Sequence, residues 1–183
     1  MCHIVCLGVL CADVIVKPVD KFPDKGKLNL VEKLELHTGG CATNAAIDLA
    51  KMGIKPAIVG KVGNDGFGNF LRSTLEKEGV DVKGLKLSKN VSTSASVVLS
   101  GSDGERTFLH CLGSNAQFQE TNIDFSIIKN AKILFVAGSL LMPKFDGQQT
   151  ANTLRKAQEM GVYTALDTAW DSTGRWMRAI KPC

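Results

Sequence analysis

The sequence predicts an α/β fold in which a mostly parallel sheet is covered by helices on both faces. Three observations carry this prediction. Short apolar runs alternate along the chain with segments of helical periodicity, several helical segments end at glycine, and two other stretches have a period of two. Strands that alternate with helices pair in parallel, and an open sheet of this kind binds its ligand at the carboxyl ends of its strands.

The individual elements follow from the apolar runs and the helix stop signals. Strands are predicted over residues 3–10, 55–63, 80–87, 132–140 and 162–169. Helices are predicted over residues 41–53, 68–79, 147–161 and 172–181. In the first helix, Ala45, Leu49 and Met52 have the spacing of a buried face, and Gly53 is the expected stop.

Two stretches, residues 13–40 and 92–115, depart from this alternation. Apolar and polar residues alternate in them, and turn signals such as Asp103-Gly104 interrupt them. Both therefore predict antiparallel hairpins beside the α/β body. A lid next to a ligand site and an edge hairpin without function fit this pattern equally well.

Composition argues against several function classes. The 183 residues are enough for one domain with a real core, and the 22 basic and 18 acidic residues are interspersed, with a net charge of +4. A nucleic-acid surface usually has clustered basic residues and aromatic side chains on which bases stack, and this sequence lacks both features. No segment has the apolar length of a membrane span, and the N-terminus lacks a signal-peptide pattern. We expect a cytoplasmic protein that binds neither nucleic acid nor membranes.

The six cysteines and three histidines give no metal-binding pattern. Cys2, His3, Cys6 and Cys11 are close in sequence, but paired C-x-x-C knuckles are absent and the segment has the pattern of a strand. Cys2 and Cys6 would share one face of that strand. We expect these cysteines to pack as small buried side chains, and we expect no metal site.

The stretch "HTGGCATNAAIDLAKMG" at residues 37–53 is the strongest candidate site. Gly39 and Gly40 let a ligand approach bare backbone at a helix start, and Asn44 adds an amide that both donates and accepts hydrogen bonds. The alternative is a tight turn in which Thr38 or Asn44 only decorates the helix start. A Walker loop at Gly60-Lys61 is ruled out, because the required glycine and Ser/Thr are missing at positions 55 and 62.

Several motifs occur in the order and spacing of one family. They are Gly39-Gly40, Asn44, Ala46, Gly53, Gly60 and the pattern Gly63-x-Asp65-x-x-Gly68. The strand leading to Asp13, "GERTF" at residues 104–108 and "KILFVAGSLLMP" agree with the same family in order. Over essentially its whole length the sequence resembles the N-terminal part of the pfkB (ribokinase-like) carbohydrate kinases.

The resemblance implies functions for the candidate residues. In these kinases the Gly-Gly pair is a hinge between lid and body, and the asparagine of the following helix binds sugar hydroxyls. Matching positions imply that Gly39, Gly40 and Asn44 contact the sugar. They also imply that Asp13, at the end of the first strand, accepts hydrogen bonds from sugar hydroxyls.

The resemblance also implies a fold and an assembly. The expected fold is a ribokinase-like three-layer αβα Rossmann-type sheet with a small β-hairpin lid, formed by residues of about 12–38 and 92–112. Such a lid shuts out water and often forms a dimer interface in this family. A homodimer through the lid is therefore expected.

The sequence departs from the family pattern at two places. Several members have a sugar-binding glutamate where this chain has Leu-Leu-Met-Pro at residues 140–143, which suggests a different sugar. Cys11 stands where ribokinases have a polar residue, two places before the lid aspartate. Arg106 would meet an anionic group of a sugar acid or sugar phosphate, or alternatively is a solvated hairpin arginine.

The family's second signature, a C-terminal Gly-Ala-Gly-Asp stretch with the catalytic base and an anion hole, does not occur before Cys183. The nucleotide pocket belongs to the same missing half. We therefore expect residues 1–183 to be the truncated N-terminal part of a longer kinase, with no catalytic residue of its own and no activity alone. ATP and Mg²⁺ would serve the complete enzyme and bind this part poorly.

The expected function is transfer of the γ-phosphate of ATP to a sugar hydroxyl by the complete enzyme. Two alternatives remain open: a non-catalytic sugar-binding or dimerisation module, and a nucleoside kinase of the same superfamily. The identity of the sugar and of the phosphorylated hydroxyl cannot be deduced from the sequence.

Overall fold

The computed structural model describes residues 3–171 and 173–183, which form two sheets and five helices. The strands are β1 (Ile4–Gly8), β2 (Cys11–Lys17), β3 (Lys33–Gly39), β4 (Pro56–Gly63), β5 (Asp81–Ser88), β6 (Ala95–Ser100), β7 (Arg106–Cys111), β8 (Ile133–Ser139) and β9 (Tyr163–Thr168). The helices are α1 (Cys41–Lys51), α2 (Gly66–Lys77), α3 (Phe125–Lys129), α4 (Gln148–Glu159) and α5 (Met177–Ile180). Two short 3-10 helices lie at Gly113–Gln117 and Glu120–Asn122.

The central sheet has the strand order β5-β4-β1-β8-β9, and every neighbouring pair is parallel. The chain builds the sheet outward from β1 to β5 and then returns to β8 on the other side of β1. This reversal creates a topological switch point between β1 and β8. The predicted parallel sheet is confirmed, and the switch point gives the expected position of a ligand site.

Two apolar clusters cover the two faces of the central sheet. Val5 and Leu7 of β1 pack in one cluster, which includes residues of α3 and α4. Cys6, between them in sequence, points to the other cluster, which includes residues of α1 and α2. The central strands are therefore buried on both faces, and the helix, sheet, helix layers agree with the predicted αβα architecture.

A second, four-stranded sheet has the order β3-β2-β6-β7, and we call it the hairpin sheet. Strands β2 and β3 pair antiparallel, as do β6 and β7, so both predicted hairpins are present. Strands β2 and β6 pair in parallel and join the hairpins into one sheet, which the sequence did not predict.

One face of the hairpin sheet is apolar, and the other carries a row of polar side chains beside Ile15, Val98 and Phe108. Directly paired residues point to the same face, and the pairs Asp13 with His37, Asp13 with Ser96, and Ser96 with His110 place these four side chains in one row. The opposite face carries Val14, Val16, Leu34, Leu36, Val97, Leu99 and Leu109. On this face Leu34 is 69% exposed and Leu109 is 56% exposed.

Two predictions about helices were wrong in detail. Met52 is 77% exposed, whereas Ala45 and Leu49 are half-buried and pack beside the buried Ala42, Ala46 and Ile47. The predicted helix over residues 172–181 is limited to α5 (Met177–Ile180), and residue 172 lies outside the described residues. Asp171 accepts hydrogen bonds from the N–H groups of Thr173 and Trp176, and this local turn delays the start of the helix.

The cysteine predictions are confirmed for part of the N-terminal segment. Cys6 and Cys11 are buried, although Cys11 begins β2 and does not continue β1. Cys2 lies outside the described residues. Of the other cysteines, Cys111 and Cys183 are exposed. Within the described part of the chain, no helix is both long and apolar enough to span a bilayer.

Candidate functional site

The predicted site residues lie where the hairpin sheet joins the body. The chain leaves β1 at Gly8 and enters β2 at Cys11, and it returns from β3 through Gly39 and Gly40 into α1. The N–H of Ala42 donates to the carbonyl oxygen of Val9 at 3.2 Å, so the start of α1 sits against the carboxyl end of β1. The site is therefore next to the topological switch point.

Gly40 gives the helix start its open backbone. It is the N-cap residue of α1 with a φ of 89°, and a Cβ at this position would collide with the carbonyl oxygen of Val9. Among the described residues, no side chain makes a capping hydrogen bond to this helix. The first turn of α1 presents the positive end of a helix dipole at this junction, and its Ala42 N–H already donates to Val9.

The carboxylate of Asp13 lies directly over the bare backbone of Gly39. A Cβ on Gly39 would collide with Oδ2 of Asp13, which shows how closely the two residues approach. Oδ1 of Asp13 accepts a hydrogen bond from the Cys11 thiol at 3.3 Å. The half-buried carboxylate is thus held in place from two sides at the entrance to α1.

Asn44 lies one turn inside α1, where its side chain is exposed. Its backbone N–H donates to the carbonyl oxygen of Gly40 at 3.0 Å. The exposed amide remains able to donate and to accept a hydrogen bond, as binding to a pair of hydroxyls requires. Asp13, Gly39, Gly40 and Asn44 are therefore gathered at one junction.

Arg106 lies at the other end of the hairpin sheet. It pairs with Ser100, four residues along the strands from the pair of Ser96 and His110, a distance of roughly 13 Å. Its guanidinium lies over the ring of Phe108, 5.8 Å from the ring centre. The fold does not bring Arg106 together with Asp13.

Two polar residues at the carboxyl edge of the central sheet were not predicted from the sequence. Asp167 lies at the carboxyl end of β9; burial raises the pKa of Cys41, the first residue of α1, and the negative charge of Asp167 raises it further. Ser139 ends β8, and its buried hydroxyl has no hydrogen-bond partner within the described residues. Polar residues at the carboxyl ends of the parallel strands are the signal that could have identified them.

The segment that replaces the family's glutamate packs into the core. Leu140 and Met142 are buried, and their N–H groups each donate to the carboxylate of Asp146 at 2.9 Å. Desolvation raises the pKa of Asp146. This segment contributes core packing at the position where the resemblance implied a polar sugar contact.

A groove at the far end of the hairpin sheet is lined by Asp20, Phe22, Leu99 and Ser102, among others. The Asp20 carboxylate accepts hydrogen bonds from the N–H of Ser102 at 2.7 Å and from its hydroxyl at 2.8 Å. Because its charged group is already satisfied, we place the candidate site at Asp13.

Neither a three-residue metal-binding group nor a Walker-type lysine contact is found among the described residues. Within residues 3–171 and 173–183, no three His, Cys, Asp or Glu side chains group closely enough to hold a metal ion. Lys61, which would correspond to a Walker lysine, donates instead to the carbonyl oxygen of Gln117 at 3.2 Å.

Known proteins resemble this chain over most of its length. The family model "pfkB family carbohydrate kinase" matches residues 1–182. Probable fructokinase-5 of Arabidopsis thaliana is 29% identical over 172 residues, which are 89% of this chain and 53% of that protein. This chain therefore spans about half the length of such relatives.

Solved structures agree with this result. Arabidopsis thaliana ribokinase complexed with ribose and ATP matches with a TM-score of 0.79 and 25% identity over 92% of this chain and 54% of that chain. An uncharacterised sugar kinase from Pyrococcus horikoshii matches with a TM-score of 0.77 and 26% identity over 98% of this chain and 60% of that chain. Together with the strand order and the junction around Gly39 and Gly40, the family match establishes that this chain belongs to the pfkB family of carbohydrate kinases.

Proposed function

We propose that this chain supplies the sugar-binding half of an ATP-dependent sugar kinase, with the sugar bound at Asp13, Gly40 and Asn44. The observation that carries the proposal is the carboxylate of Asp13, fixed over Gly39 beside the open start of α1 and the exposed amide of Asn44. Clustered acceptors and donors of this kind suit a molecule with several neighbouring hydroxyls.

Each group has a distinct role in this proposal. The Asp13 carboxylate accepts hydrogen bonds from sugar hydroxyls, and Asn44 donates to one hydroxyl while it accepts from another. The backbone at Gly40 lets the sugar approach without a side chain in the way. The hairpin sheet covers the bound sugar and excludes water, so that its hydroxyl is oriented for transfer of the γ-phosphate of ATP.

ATP and Mg²⁺ act in the complete enzyme, where the remaining half supplies their site. When bound there, ATP would supply the phosphoryl group and Mg²⁺ would neutralise its charge. The residues described above contribute binding and orientation of the sugar.

Sugar binding by the 183-residue chain tests the proposal directly. We expect fructose or ribose to raise the melting temperature and to give saturable binding in calorimetry, because a ligand stabilises the state that it binds. Fructose comes first, because relatives in plants carry the name fructokinase. Adenosine and 2-keto-3-deoxygluconate complete the panel and test the nucleoside-kinase and sugar-acid alternatives.

Two variants locate the binding site. Asp13→Asn and Asn44→Ala should each weaken binding by about 10-fold or more, since each removes hydrogen bonds to the ligand. Arg106→Ala is the matched control, and it should leave the affinity for an uncharged sugar unchanged. Equal affinity of the wild-type chain and Asp13→Asn would contradict the assignment of the site.

The apolar face of the hairpin sheet supports a second proposal, that two copies of the chain form a homodimer. Seven apolar residues form one continuous face, and monomeric proteins rarely expose such a surface.

Saturable sugar binding by a dimer without phosphorylation would favour a sugar-binding module. Phosphorylation by the 183-residue chain alone would exclude that alternative.

A further inference from the structure

A chain of hydrogen bonds crosses three strands of the hairpin sheet and ends at Asp13. Nδ1 of His110 lies 3.0 Å from the hydroxyl of Ser96, which lies 3.4 Å from the thiol of Cys11. That thiol donates to Oδ1 of Asp13 at 3.3 Å, and the uncharged carbonyl oxygen of Ala12 is a more distant acceptor at 3.7 Å. Ser96 is 7% exposed and Cys11 is 3% exposed, so water competes little for the inner contacts.

The number of protons limits how these contacts are made. Burial raises the pKa of Cys11 to about 11, and the neighbouring Asp13 raises it as well, so the thiol keeps its single proton at neutral pH. If this proton is donated to Asp13, the sulfur must accept the proton of a neighbouring hydroxyl. The hydroxyl of Ser94 already donates to the carbonyl oxygen of Cys111 at 3.0 Å, which leaves Ser96 as the donor.

The contact between Ser96 and His110 then determines which imidazole nitrogen of His110 carries the proton. Because Ser96 has given its proton to Cys11, its oxygen must accept from His110, and His110 must carry its proton on Nδ1. In the opposite arrangement His110 accepts from Ser96, Ser96 accepts from Cys11, and Asp13 loses its donor. The negative carboxylate decides between them, because it favours the chain whose donors all point toward it.

We propose that Cys11, Ser96 and His110 are positioning residues that orient the carboxylate of Asp13, with His110 held in the Nδ1–H tautomer. This chain of hydrogen bonds orients Oδ1 of Asp13, whereas Oδ2 of Asp13 lies over Gly39. The effect of these positioning residues on sugar affinity rests on the proposed function, whereas the direction of their hydrogen bonds does not.

The tautomer of His110 is the first test. In the ¹⁵N-labelled chain at neutral pH, imidazole nitrogen shifts should identify Nδ1 of His110 as the protonated nitrogen. Ser96→Ala should release this preference and shift the population toward the Nε2–H form. His37 is the internal control, since Ser96→Ala removes no contact that it makes. A wild-type His110 in the Nε2–H form would contradict the proposed direction of these hydrogen bonds, whether or not the protein binds sugar.

The side chain at position 11 is the second test. Cys11→Ala removes the donor to Asp13 and should weaken fructose binding by about 2- to 10-fold, whereas Cys11→Ser keeps a donor and should restore most of the affinity. A role in packing alone predicts that both variants bind fructose equally well, and that result would overturn the proposal. A wild-type chain that binds neither fructose nor any other panel ligand would instead contradict the proposed function.

Discussion

At the scale of single residues, Gly40 determines the geometry of the helix start. Gly40→Ala forces an L residue to a φ of 89°, which costs about 1–2 kcal/mol, and the added Cβ also collides with the Val9 carbonyl oxygen. We expect this variant to lose more than that amount in free energy of unfolding and to bind sugar weakly. Urea denaturation and calorimetry measure the two effects.

Gly53 provides the matched control. It has a φ of 82°, similar to that of Gly40, but no heavy atom lies within 4 Å of a Cβ at this position. Gly53→Ala should therefore cost only the backbone strain of about 1–2 kcal/mol. Equal losses in the two variants would show that the close approach at Gly40 does not matter.

Some of the site could be predicted at this scale and some could not. Asp13, Gly39, Gly40 and Asn44 belong to a local motif, and the fold does bring them to one junction. Ser96 and His110 acquire their importance only because β6 pairs with β2, a strand more than 70 residues away in sequence. No local pattern of residues reveals such a register.

At the scale of secondary structure elements, Asp65 joins α2 to the hairpin sheet. Its Oδ1 accepts from the N–H of Gly68 at 2.8 Å, which caps α2, and its Oδ2 accepts from the N–H of Thr93 at 2.7 Å, just before β6. The hydroxyl of Thr93 also donates to Oδ1 at 2.7 Å. The family motif Gly63-x-Asp65-x-x-Gly68 thus has a structural explanation.

Asp65→Ala should lower the free energy of unfolding by about 1–2 kcal/mol at neutral pH, because it removes a helix cap. Desolvation raises the pKa of Asp65, but the hydrogen bonds from Thr93 and Gly68 outweigh it and lower the pKa. A lowered pKa means that the stabilisation is fully present above the ordinary aspartate pKa of about 3.9 and is lost as the pH falls through the lower value.

Urea unfolding of the wild-type chain and Asp65→Ala between pH 7 and pH 3 measures this effect. The difference between them should stay constant down to about pH 4 and shrink below it. Asp48→Ala, on the exposed face of α1, is the control and should change stability little. A difference that grows in acid would contradict this account of Asp65.

The long elements were predictable because their patterns repeat over several turns. Helix α3 was missed, since the five residues Phe125–Lys129 are too short to show a helical period. Met52 was placed on the buried face because its spacing fits, yet it follows the last residue of α1, Lys51, and is exposed. Periodicity locates a helix better than it locates the end of its buried face.

At the scale of the whole molecule, the apolar face of the hairpin sheet predicts self-association. Leu109→Glu places a charge on this face and should convert a dimer to monomers in sedimentation equilibrium. Phe108→Glu is the matched control, because the neighbouring residue points to the opposite face and is similarly exposed, at 53%. A wild-type chain that sediments as a monomer would exclude the dimer, and equal dissociation by both variants would place the interface elsewhere.

The central sheet was predictable as a whole, because strands that alternate with helices leave few possible topologies. The single hairpin sheet was not, because its central contact is the parallel pairing of β2 with β6, which are more than 70 residues apart in sequence. A hairpin forms from neighbouring residues, whereas this pairing depends on the folded body that carries both hairpins.

All four strands of the hairpin sheet join the body at the same end. There Asn115 holds the connection between β1 and β2: its amide donates to the carbonyl oxygen of Leu10 at 2.9 Å, and the N–H of Leu10 donates back to it at 3.4 Å. A tilt of the hairpin sheet about the end where it joins the body would move each residue in proportion to its distance from that end. Asp13 lies two residues from Cys11, at the joined end, and Arg106 lies five residues from Cys111. The tip of the sheet would therefore move roughly two to three times as far as Asp13. If the hairpin sheet acts as the expected lid, such a tilt would open its tip while Asp13 moves less from its place beside Gly39.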